Sequence, residues 1–379
     1  MKVEAPIVCA GNWLDMGQAQ GTALAPRVRG AYEVLDKVEA FTLHRPWWLP
    51  FRLYRAFAAG KARKHLAQAF DAQTPGLADR LEGIARGSGL SAASVYLFHY
   101  LEVAMAMVEK EVPGFGCSAV AVRGSRSARG EPILVHNFDY LPLVQPFYAL
   151  RASRPQGQLR SLDFLVAPMC GTVDGINEHG LAIVYNYAQT FDHQDAAPTL
   201  SMRIAETLAS CASVGQAIDF LTSRPRWGSG LLLLADAAGE IAALEITSTR
   251  HEVRGPDNDI LFNVNRFQCG HTHEVEVSDE AVYGARAPSP LRGKRVLGSS
   301  HERQARFREL LPATGQFDEG KLAALMADHG PAGQPGESTI CMHSGYWTTT
   351  ACLQLLPCSR TLRVAYDTAC AASYSEFSL

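Results

Sequence analysis

The sequence predicts an α+β fold in which sheets pack against helices. Apolar residues recur at helical spacing through the first third of the chain, and short apolar runs typical of β-strands dominate from Cys117 onward. The chain has 379 residues, of which 47% are hydrophobic and 19% are charged. A chain of this length and composition can bury a large core, so we expect one large or two ordinary folded domains.

The first third of the chain is predicted to be helical. Helical spacing of apolar residues runs through residues 17–41, 52–70 and 75–90. A further helix is predicted over residues 91–110, with Ser91 as its N-cap.

Strands and helices alternate in the rest of the chain, separated by turn-prone stretches such as GSRSARGEP and NEHG. The predicted strands lie at 117–122, 132–140, 147–153, 161–167, 180–188, 230–254 with a hairpin loop at DAAGE, 260–267, 348–357 and 361–368. The predicted helices lie at 201–223, 301–311 and 318–330. Strands in two groups, with helices between and around them, favour layers of sheet and helix.

Composition excludes several classes of partner. The net charge is -3 and the basic residues form no long run, so neither nucleic acid nor a membrane is expected as a partner. No apolar stretch reaches the roughly 18 residues that a membrane helix needs. The N-terminal stretch does not resemble a secretory signal, and we therefore expect a cytoplasmic protein.

The cysteines and histidines give no sign of a metal site. There are nine cysteines, an odd number without a CxxC pair, which is typical of reduced thiols. The cluster CGHTHE could supply Cys269, His271 and His273 as ligands, but its spacing matches no standard site. We interpret it as a polar loop and expect no metal and no cofactor. GxSxG, Walker, HExxH and GxGxxG motifs are also absent.

Gly116, Cys117 and Ser118 stand together at the start of a predicted strand, and Asp139 stands at the end of the next one. A thiol nucleophile needs a base, and a free α-amino group with a pKa of about 7.7 to 8.0 suits that task. Cleavage of the Gly116–Cys117 bond would create such an amine on the nucleophile itself. Glycine tolerates the strained backbone that this cleavage requires. The alternative is that Cys117 is a small buried cysteine that opens a strand.

A set of short motifs supports the first interpretation. The chain contains, in order, GCS, HNFDY, GINEHGLAIVYNYA, FNVNRF, SSHERQARF and STICMH, preceded by GNWLDMGQAQG. This order resembles the acyl-coenzyme A:6-aminopenicillanic acid acyltransferase family of cysteine N-terminal-nucleophile hydrolases, which is more distantly similar to choloylglycine hydrolases. The resemblance implies a four-layer αββα sandwich with a helical N-terminal segment. It also implies self-cleavage before Cys117, with residues 1–116 as a small subunit and 117–379 as the catalytic large subunit of a heterodimer.

The resemblance also implies roles for single residues. Cys117 would be the nucleophile, its freed amine the base, and Asp139 the carboxylate that holds this amine. Asn186 and Asn265 match positions whose amides face the reacting carbonyl and would stabilise the oxyanion. Arg303 matches an arginine near the nucleophile that would favour the thiolate and bind Asp139. Arg306, one helical turn further on, is the competing candidate for that role.

Two positions depart from the patterns of these families. His136 stands where choloylglycine hydrolases carry arginine, which argues against recognition of bile salts and for the acyltransferase branch. Ser118 replaces the threonine that commonly follows the nucleophile in that branch, and it keeps the hydroxyl group.

The leading expectation is hydrolysis of a small N-acyl amide through a cysteinyl thioester. The runner-up is transfer of an acyl group from an amide or a thioester, such as an acyl-coenzyme A, to an amine; the lack of a basic glycine-rich phosphate loop argues slightly against coenzyme A. Two other classes stay open. One is an uncleaved binding scaffold in which Cys117 is inert, and the other is a Cys-His peptidase that uses a histidine such as His136.

Overall fold

The computed structural model describes residues 1–107, 116–192, 194, 196–311 and 314–379. The strands are β1 (Ile7–Gly11), β2 (Ser118–Val122), β3 (Ile133–Tyr140), β4 (Tyr148–Pro155), β5 (Ser161–Val166), β6 (Asp174–Asn177), β7 (Ala182–Tyr187), β8 (Gly230–Ala235), β9 (Ile241–Ile246), β10 (His251–Arg254), β11 (Ile260–Asn263), β12 (Thr348–Leu356), β13 (Thr361–Ala365) and β14 (Ser375–Ser378). The helices are α1 (Trp13–Ala23), α2 (Ala25–Glu33), α3 (Glu39–Thr42), α4 (Phe51–Gln73), α5 (Pro75–Ser88), α6 (Ala92–Met107), α7 (Leu200–Ser210), α8 (Val214–Ser223), α9 (Gly270–His273), α10 (Gly298–Leu310) and α11 (Glu319–Met326).

The strands form two sheets. One has eight strands in the order β1-β4-β5-β6-β7-β8-β9-β10, and the other has six in the order β11-β2-β3-β12-β13-β14. Neighbouring strands run antiparallel except β1 and β4, which are parallel. The part of the predicted active site that comes first in the chain lies on β2 and β3, and therefore in the middle of the six-stranded sheet.

Alternate residues of each strand face opposite layers. Ala119 and Ala121 of β2 join Leu150 and Phe164 of the other sheet in an apolar cluster between the two sheets. On the outer face of the six-stranded sheet, apolar residues pack against α10 and α11, and α7 and α8 cover the eight-stranded sheet in the same way. The layers are thus helix, sheet, sheet, helix, and the predicted αββα sandwich is confirmed.

The N-terminal segment packs against this sandwich through its helices and through β1, a strand that the sequence analysis did not predict. Helices α1 and α5 approach very closely because glycines line their contact. A Cβ on Gly17 would lie 2.0 Å from the carbonyl oxygen of Arg80, and one on Gly83 would lie 2.2 Å from that of Leu14. Larger residues at these two positions would therefore force the helices apart.

The other predicted segments form strands or helices as expected, although the helical stretch at 17–41 is divided among α1, α2 and α3. Strands β6 and β14 and the short helix α9 were also missed. Ser91 caps α6, since its Oγ accepts a hydrogen bond from the main-chain nitrogen of Ser94 at 3.2 Å. This helix is described as far as Met107, and the predicted residues 108–110 lie outside the described part of the chain. Among the residues that are described, no helix is long and apolar enough to cross a bilayer.

Candidate active site

Cys117 lies immediately before β2, and only 2% of it is exposed. Its Sγ lies 4.0 Å from the main-chain carbonyl oxygen of Asp139. Burial raises the pKa of the Cys117 thiol far above its ordinary value, and the negative charge of Asp139 raises it further, while the cation of Arg303 opposes both. In the uncut chain the thiol is therefore protonated at neutral pH, and a nucleophilic role requires a base.

Asp139 ends β3 inside the protein. Its Oδ1 accepts a hydrogen bond of 2.6 Å from the Thr349 hydroxyl, whereas its buried Oδ2 has no hydrogen-bond partner among the described residues. Burial raises the pKa of this carboxyl to about 8, although the charge of Arg303 and the Thr349 hydrogen bond both act to lower it. A new cation beside Oδ2 would give this oxygen a partner and favour its ionised form.

Gly116 fits this position because other groups approach it closely. A Cβ there would lie 2.4 Å from Cε of Met342 and 3.3 Å from Cβ of Asp139. The Asp139 side chain therefore lies directly beside the Gly116–Cys117 peptide bond.

Arg303 of α10 is fully buried and joins several parts of the site. Its Nη1 donates hydrogen bonds to the Cys117 carbonyl oxygen at 2.6 Å and to the Ser118 hydroxyl at 3.0 Å. Its Nη2 donates to Oδ1 of Asn265 at 2.9 Å. The expected direct pair between Arg303 and Asp139 is not formed among the described contacts, because the fork of Arg303 is used by these acceptors and its charge acts on Asp139 through space.

Arg306, the competing candidate, points away from the site. It forms a two-pronged ion pair with Asp328, at 2.9 and 2.7 Å, and a hydrogen bond of 2.9 Å to Glu309. The structure therefore places Arg303, and not Arg306, beside Cys117.

The two predicted asparagines stand on different elements, and of the two only Asn265 is hydrogen-bonded to another predicted site residue among the described contacts, namely Arg303. Asn265 follows β11, and its Nδ2 donates a hydrogen bond of 2.8 Å to the carbonyl oxygen of Tyr187 at the end of β7. Asn186 stands on β7 on the same face as Val184, which packs in the cluster between the sheets that includes Cys117. Both amide atoms of Asn186 are buried and lack a hydrogen-bond partner in the described part of the chain. An unused amide on this face can donate to a developing oxyanion.

The other histidine and cysteine candidates lie elsewhere. His136 is buried, and its Nδ1 lies 2.6 Å from Oδ2 of Asp174. No described histidine nitrogen lies within hydrogen-bond distance of Cys117 Sγ, so the Cys-His alternative has no support from the described contacts. In the CGHTHE stretch, which forms α9 and not a loop, His273 pairs with Glu276 at 2.8 Å. Cys269, His271 and His273 do not form a ligand cluster within the described chain.

A largely apolar cavity of about 570 Å³ opens onto Cys117. Helices of the N-terminal segment form one side of it, and both sheets contribute the other. Its lining includes Leu35, Leu97, Phe138, Tyr140, Leu141 and Tyr185. The polar lining includes Glu102, which accepts hydrogen bonds from the main-chain nitrogen and the hydroxyl of Ser201, at 3.1 and 2.7 Å.

Sequence analysis missed two residues of the site. Thr349 holds the Asp139 carboxylate, and Met342 packs against Gly116. Both lie more than 200 residues from their partners in the sequence. Thr349 belongs to the run TTT, in which no local signal distinguishes it from its neighbours.

The sequence profile of the family described as acyl-coenzyme A:6-aminopenicillanic acid acyl-transferase matches residues 126–329, more than half of the chain. The chain belongs to this family. The matched segment contains Asp139, Asn186, Asn265 and Arg303, and it begins shortly after Cys117. No curated protein matches the chain.

Several solved structures are similar to the chain at low identity. The Caenorhabditis elegans ortholog of N-acylethanolamine-hydrolyzing acid amidase is 12% identical with a TM-score of 0.43, covering 69% of this chain and 100% of that one. A variant of conjugated bile acid hydrolase from Clostridium perfringens is 10% identical with a TM-score of 0.41, covering 69% and 97%. Penicillin V acylase from Agrobacterium tumefaciens is 14% identical with a TM-score of 0.41, covering 69% and 86%.

Proposed function

We propose that this protein is a self-processing cysteine amidase that cleaves the amide bond of a small N-acyl compound with an apolar acyl group. One observation carries the proposal. Cys117 borders an apolar cavity, and the buried Asp139 carboxylate beside the Gly116–Cys117 bond has an oxygen without a partner in the described chain. An inert core thiol would need neither the cavity nor the buried acid.

Self-cleavage would start with attack of Cys117 Sγ on the carbonyl carbon of Gly116. The bond from this carbon to the Cys117 nitrogen breaks, the thiol proton passes to that nitrogen, and a thioester forms. Water then hydrolyses the thioester, which leaves a carboxylate on Gly116 and a free amine and thiol on Cys117. The new amine, as an ammonium group, would donate a hydrogen bond to Oδ2 of Asp139. This hydrogen bond would offset the cost of burying that oxygen without a partner.

Turnover would use the same groups. The free amine of Cys117 takes the proton of its own thiol, and the thiolate attacks the carbonyl carbon of the substrate amide. Asn186, and the second N–H of the Asn265 amide, donate to the oxyanion. The leaving amine takes up the proton, and water then hydrolyses the cysteinyl thioester with the Cys117 amine as base.

The cavity lining supports an apolar acyl group. An acyl chain in contact with Leu35, Leu97 and Leu141 removes apolar surface from water on both sides, which is favourable by about 25 cal/mol per Å². Among the lining residues that the structure describes, Lys61 is the one lysine and there is no arginine. An anionic acyl group would therefore find little compensation for its lost hydration.

Acyl transfer is the second candidate, since the matched family is described by an acyltransferase activity. Hydrolysis and transfer share the cysteinyl thioester and differ in whether water or an amine takes the acyl group. The ratio of acid to amide product, measured while the concentration of an added amine is raised, distinguishes the two.

The first experiment is intact mass measurement with N-terminal sequencing of freshly purified protein and of two variants. We expect the wild type and Cys352→Ala, which changes another buried cysteine of the six-stranded sheet, to consist of two fragments. The larger fragment should begin Cys-Ser-Ala-Val, and Cys117→Ala should stay whole. A screen of N-acyl amides of increasing chain length then follows the release of amine.

A wild-type chain that remains uncut would contradict the proposal. It would remove the free amine from the mechanism and favour the binding scaffold. Cleavage without release of amine from any acyl amide would leave self-processing standing and overturn the assignment to hydrolysis.

A further inference from the structure

Four side chains from separate segments meet on the outer side of the six-stranded sheet. His329 follows α11, Cys341 and His343 precede β12, and Cys370 lies in a short 3₁₀ turn (Ala369–Ala371) after β13. One ligand atom from each residue lies within 4.8 Å of all the others. The active-site description uses none of these four side chains.

Distances within this cluster are close to those of a metal centre. Nε2 of His343 lies 3.3 Å from Sγ of Cys341 and 3.5 Å from Sγ of Cys370. The rings of His329 and His343 have centroids 5.1 Å apart and meet edge to face. In a tetrahedral zinc site with bonds of about 2.0 to 2.3 Å, neighbouring ligand atoms lie about 3.3 to 3.8 Å apart. Small side-chain movements would therefore complete the geometry.

We propose that His329, Cys341, His343 and Cys370 form a structural zinc site. Two thiolates and two imidazoles are a donor set that favours zinc over calcium or magnesium, which prefer oxygen ligands. Four protein ligands fill a tetrahedral shell and leave no open position for water, as expected of a structural and not a catalytic ion.

The orphaned nitrogen of His329 supports this assignment. Its Nε2 is buried and has no hydrogen-bond partner among the described residues. A buried imidazole nitrogen without a partner is costly, and a bound metal ion removes this cost. The sequence analysis expected no metal because the ligands come from three separate segments and their spacing matches no standard motif.

The proposed ion would also support the candidate active site indirectly. Met342 stands between two of the ligands and packs against Gly116. Its main-chain nitrogen donates a hydrogen bond of 2.9 Å to Oγ1 of Thr349, which in turn holds Asp139. A metal bound by Cys341 and His343 would fix this loop and thereby the position of the Asp139 carboxylate.

Metal analysis of the full-length protein tests the proposal. After purification in chelator-treated buffer, elemental analysis should find about one zinc per chain. Cys341→Ser and Cys370→Ser should each lower the zinc content to near background, whereas Cys358→Ser, which changes a cysteine away from the cluster, should keep it. Zinc that stays at the same level in both ligand variants would overturn the proposal.

Because the ligand variants could unfold for other reasons, a second measurement uses the wild type alone. After removal of metal with a chelator, titration with Co²⁺ should produce the visible bands of tetrahedral cobalt with thiolate ligands, saturating at about one equivalent. Peptide mapping should recover Cys341 and Cys370 as thiols. Absence of both zinc and cobalt binding, or a Cys341–Cys370 disulfide in the purified protein, would refute the site.

Discussion

Asn186 is placed in the core at a cost to stability. Both of its amide atoms are buried without a partner in the described chain, and each such group costs about 1 to 3 kcal/mol. No contact in the described packing offsets this cost. A buried amide kept free in this way is expected where a hydrogen bond is needed only during the reaction.

Asn186→Leu should therefore stabilise the protein while it removes activity. We expect the free energy of unfolding to rise by about 1 kcal/mol, and kcat to fall by about a hundredfold with little change in KM. Chemical denaturation and steady-state kinetics measure the two effects. Asn177→Leu is the matched control on β6, because the Asn177 amide donates to the carbonyl oxygens of Leu208 and Cys211 and its loss should destabilise the fold. Unchanged kcat in Asn186→Leu would contradict the oxyanion role.

Because of Asp139, we expect the stability of the uncut protein to depend on pH. The pKa of its carboxyl is raised from 3.8 to about 8, so the folded chain holds a proton there that the unfolded chain releases. The buried acid therefore destabilises the fold increasingly as pH rises from about 4 to about 8, and the cost is constant above that.

Asp139→Asn in a Cys117→Ala background removes this cost and keeps an oxygen that can accept the Thr349 hydrogen bond. We expect the free energy of unfolding of the double variant, relative to Cys117→Ala, to increase by a few kcal/mol between pH 4 and pH 8. Denaturation at a series of pH values measures the difference. Asp219→Asn, at an exposed position of α8, controls for the loss of a negative charge. Parallel pH curves for parent and double variant would show that Asp139 is not desolvated as described.

At the scale of elements, helix α10 carries two arginines that lie in different surroundings. Residues three apart on a helix lie on adjacent parts of its surface, yet here Arg303 is fully buried and Arg306 forms ion pairs near the surface. The sequence showed a helix with two candidate arginines but could not show which side packs on the sheet. That choice depends on Leu322 and Met326 of α11 and on Phe307, which together fix how α10 lies on the six-stranded sheet.

Arg303→Lys should slow both self-cleavage and turnover at least tenfold, since one ammonium group cannot reach the Cys117 carbonyl oxygen, Ser118 and Asn265 together. Arg306→Lys, one turn along the same helix, should leave both rates nearly unchanged because the ion pairs of Arg306 with Asp328 and Glu309 do not involve Cys117, Ser118 or Asn265. Cleavage is followed by gel densitometry and turnover by amine release. Equal effects of the two substitutions would remove Arg303 from the site.

Strand prediction succeeded for most continuous apolar runs, with β1 (IVCAG) as an exception, and failed for short polar strands that depend on their neighbours in the sheet. The runs of β2, β3, β7 and β12 were evident in the sequence because their buried residues are apolar. The missed β6 has only four residues, DGIN, and three of them are poor strand formers. It is a strand because β5 and β7 flank it on both sides. The partners of Asp139 and Gly116 were missed for the same reason, since β12 and the segment before it bring them from the far end of the chain.

Substitutions in helix α4 test how the cavity selects an acyl chain. Ala58 lines the cavity, and Ala56, two residues earlier, is exposed and does not. Ala58→Trp should fill part of the cavity and lower kcat/KM about tenfold or more for the longest acyl substrate, with less effect on the shortest. Ala56→Trp should behave as the wild type with both substrates. A loss in Ala58→Trp that is equal for all chain lengths would place the acyl group elsewhere.

At the scale of the whole molecule, the N-terminal segment is part of the same core as the sandwich. Strand β1 pairs with β4 from Ile7 to Gly11, and Nε2 of Gln20 donates hydrogen bonds to the carbonyl oxygens of Ala167 and Met169, at 3.0 and 2.9 Å. Helices α1 to α6 share an apolar cluster with residues such as Met202 and Trp227. Cleavage at Cys117 therefore should not release the small fragment, which would expose this cluster and one wall of the cavity.

We expect the two fragments to remain one folded unit whose unfolding is also its dissociation. The melting temperature of the cleaved wild type should then rise with protein concentration, because folding becomes bimolecular. That of Cys117→Ala, in which the chain is continuous, should not change with concentration. Calorimetry of both proteins over a wide concentration range makes the comparison, and native mass spectrometry should find both fragments in one complex. A small fragment that separates under native conditions would show that its contacts with the large fragment do not hold the cavity together.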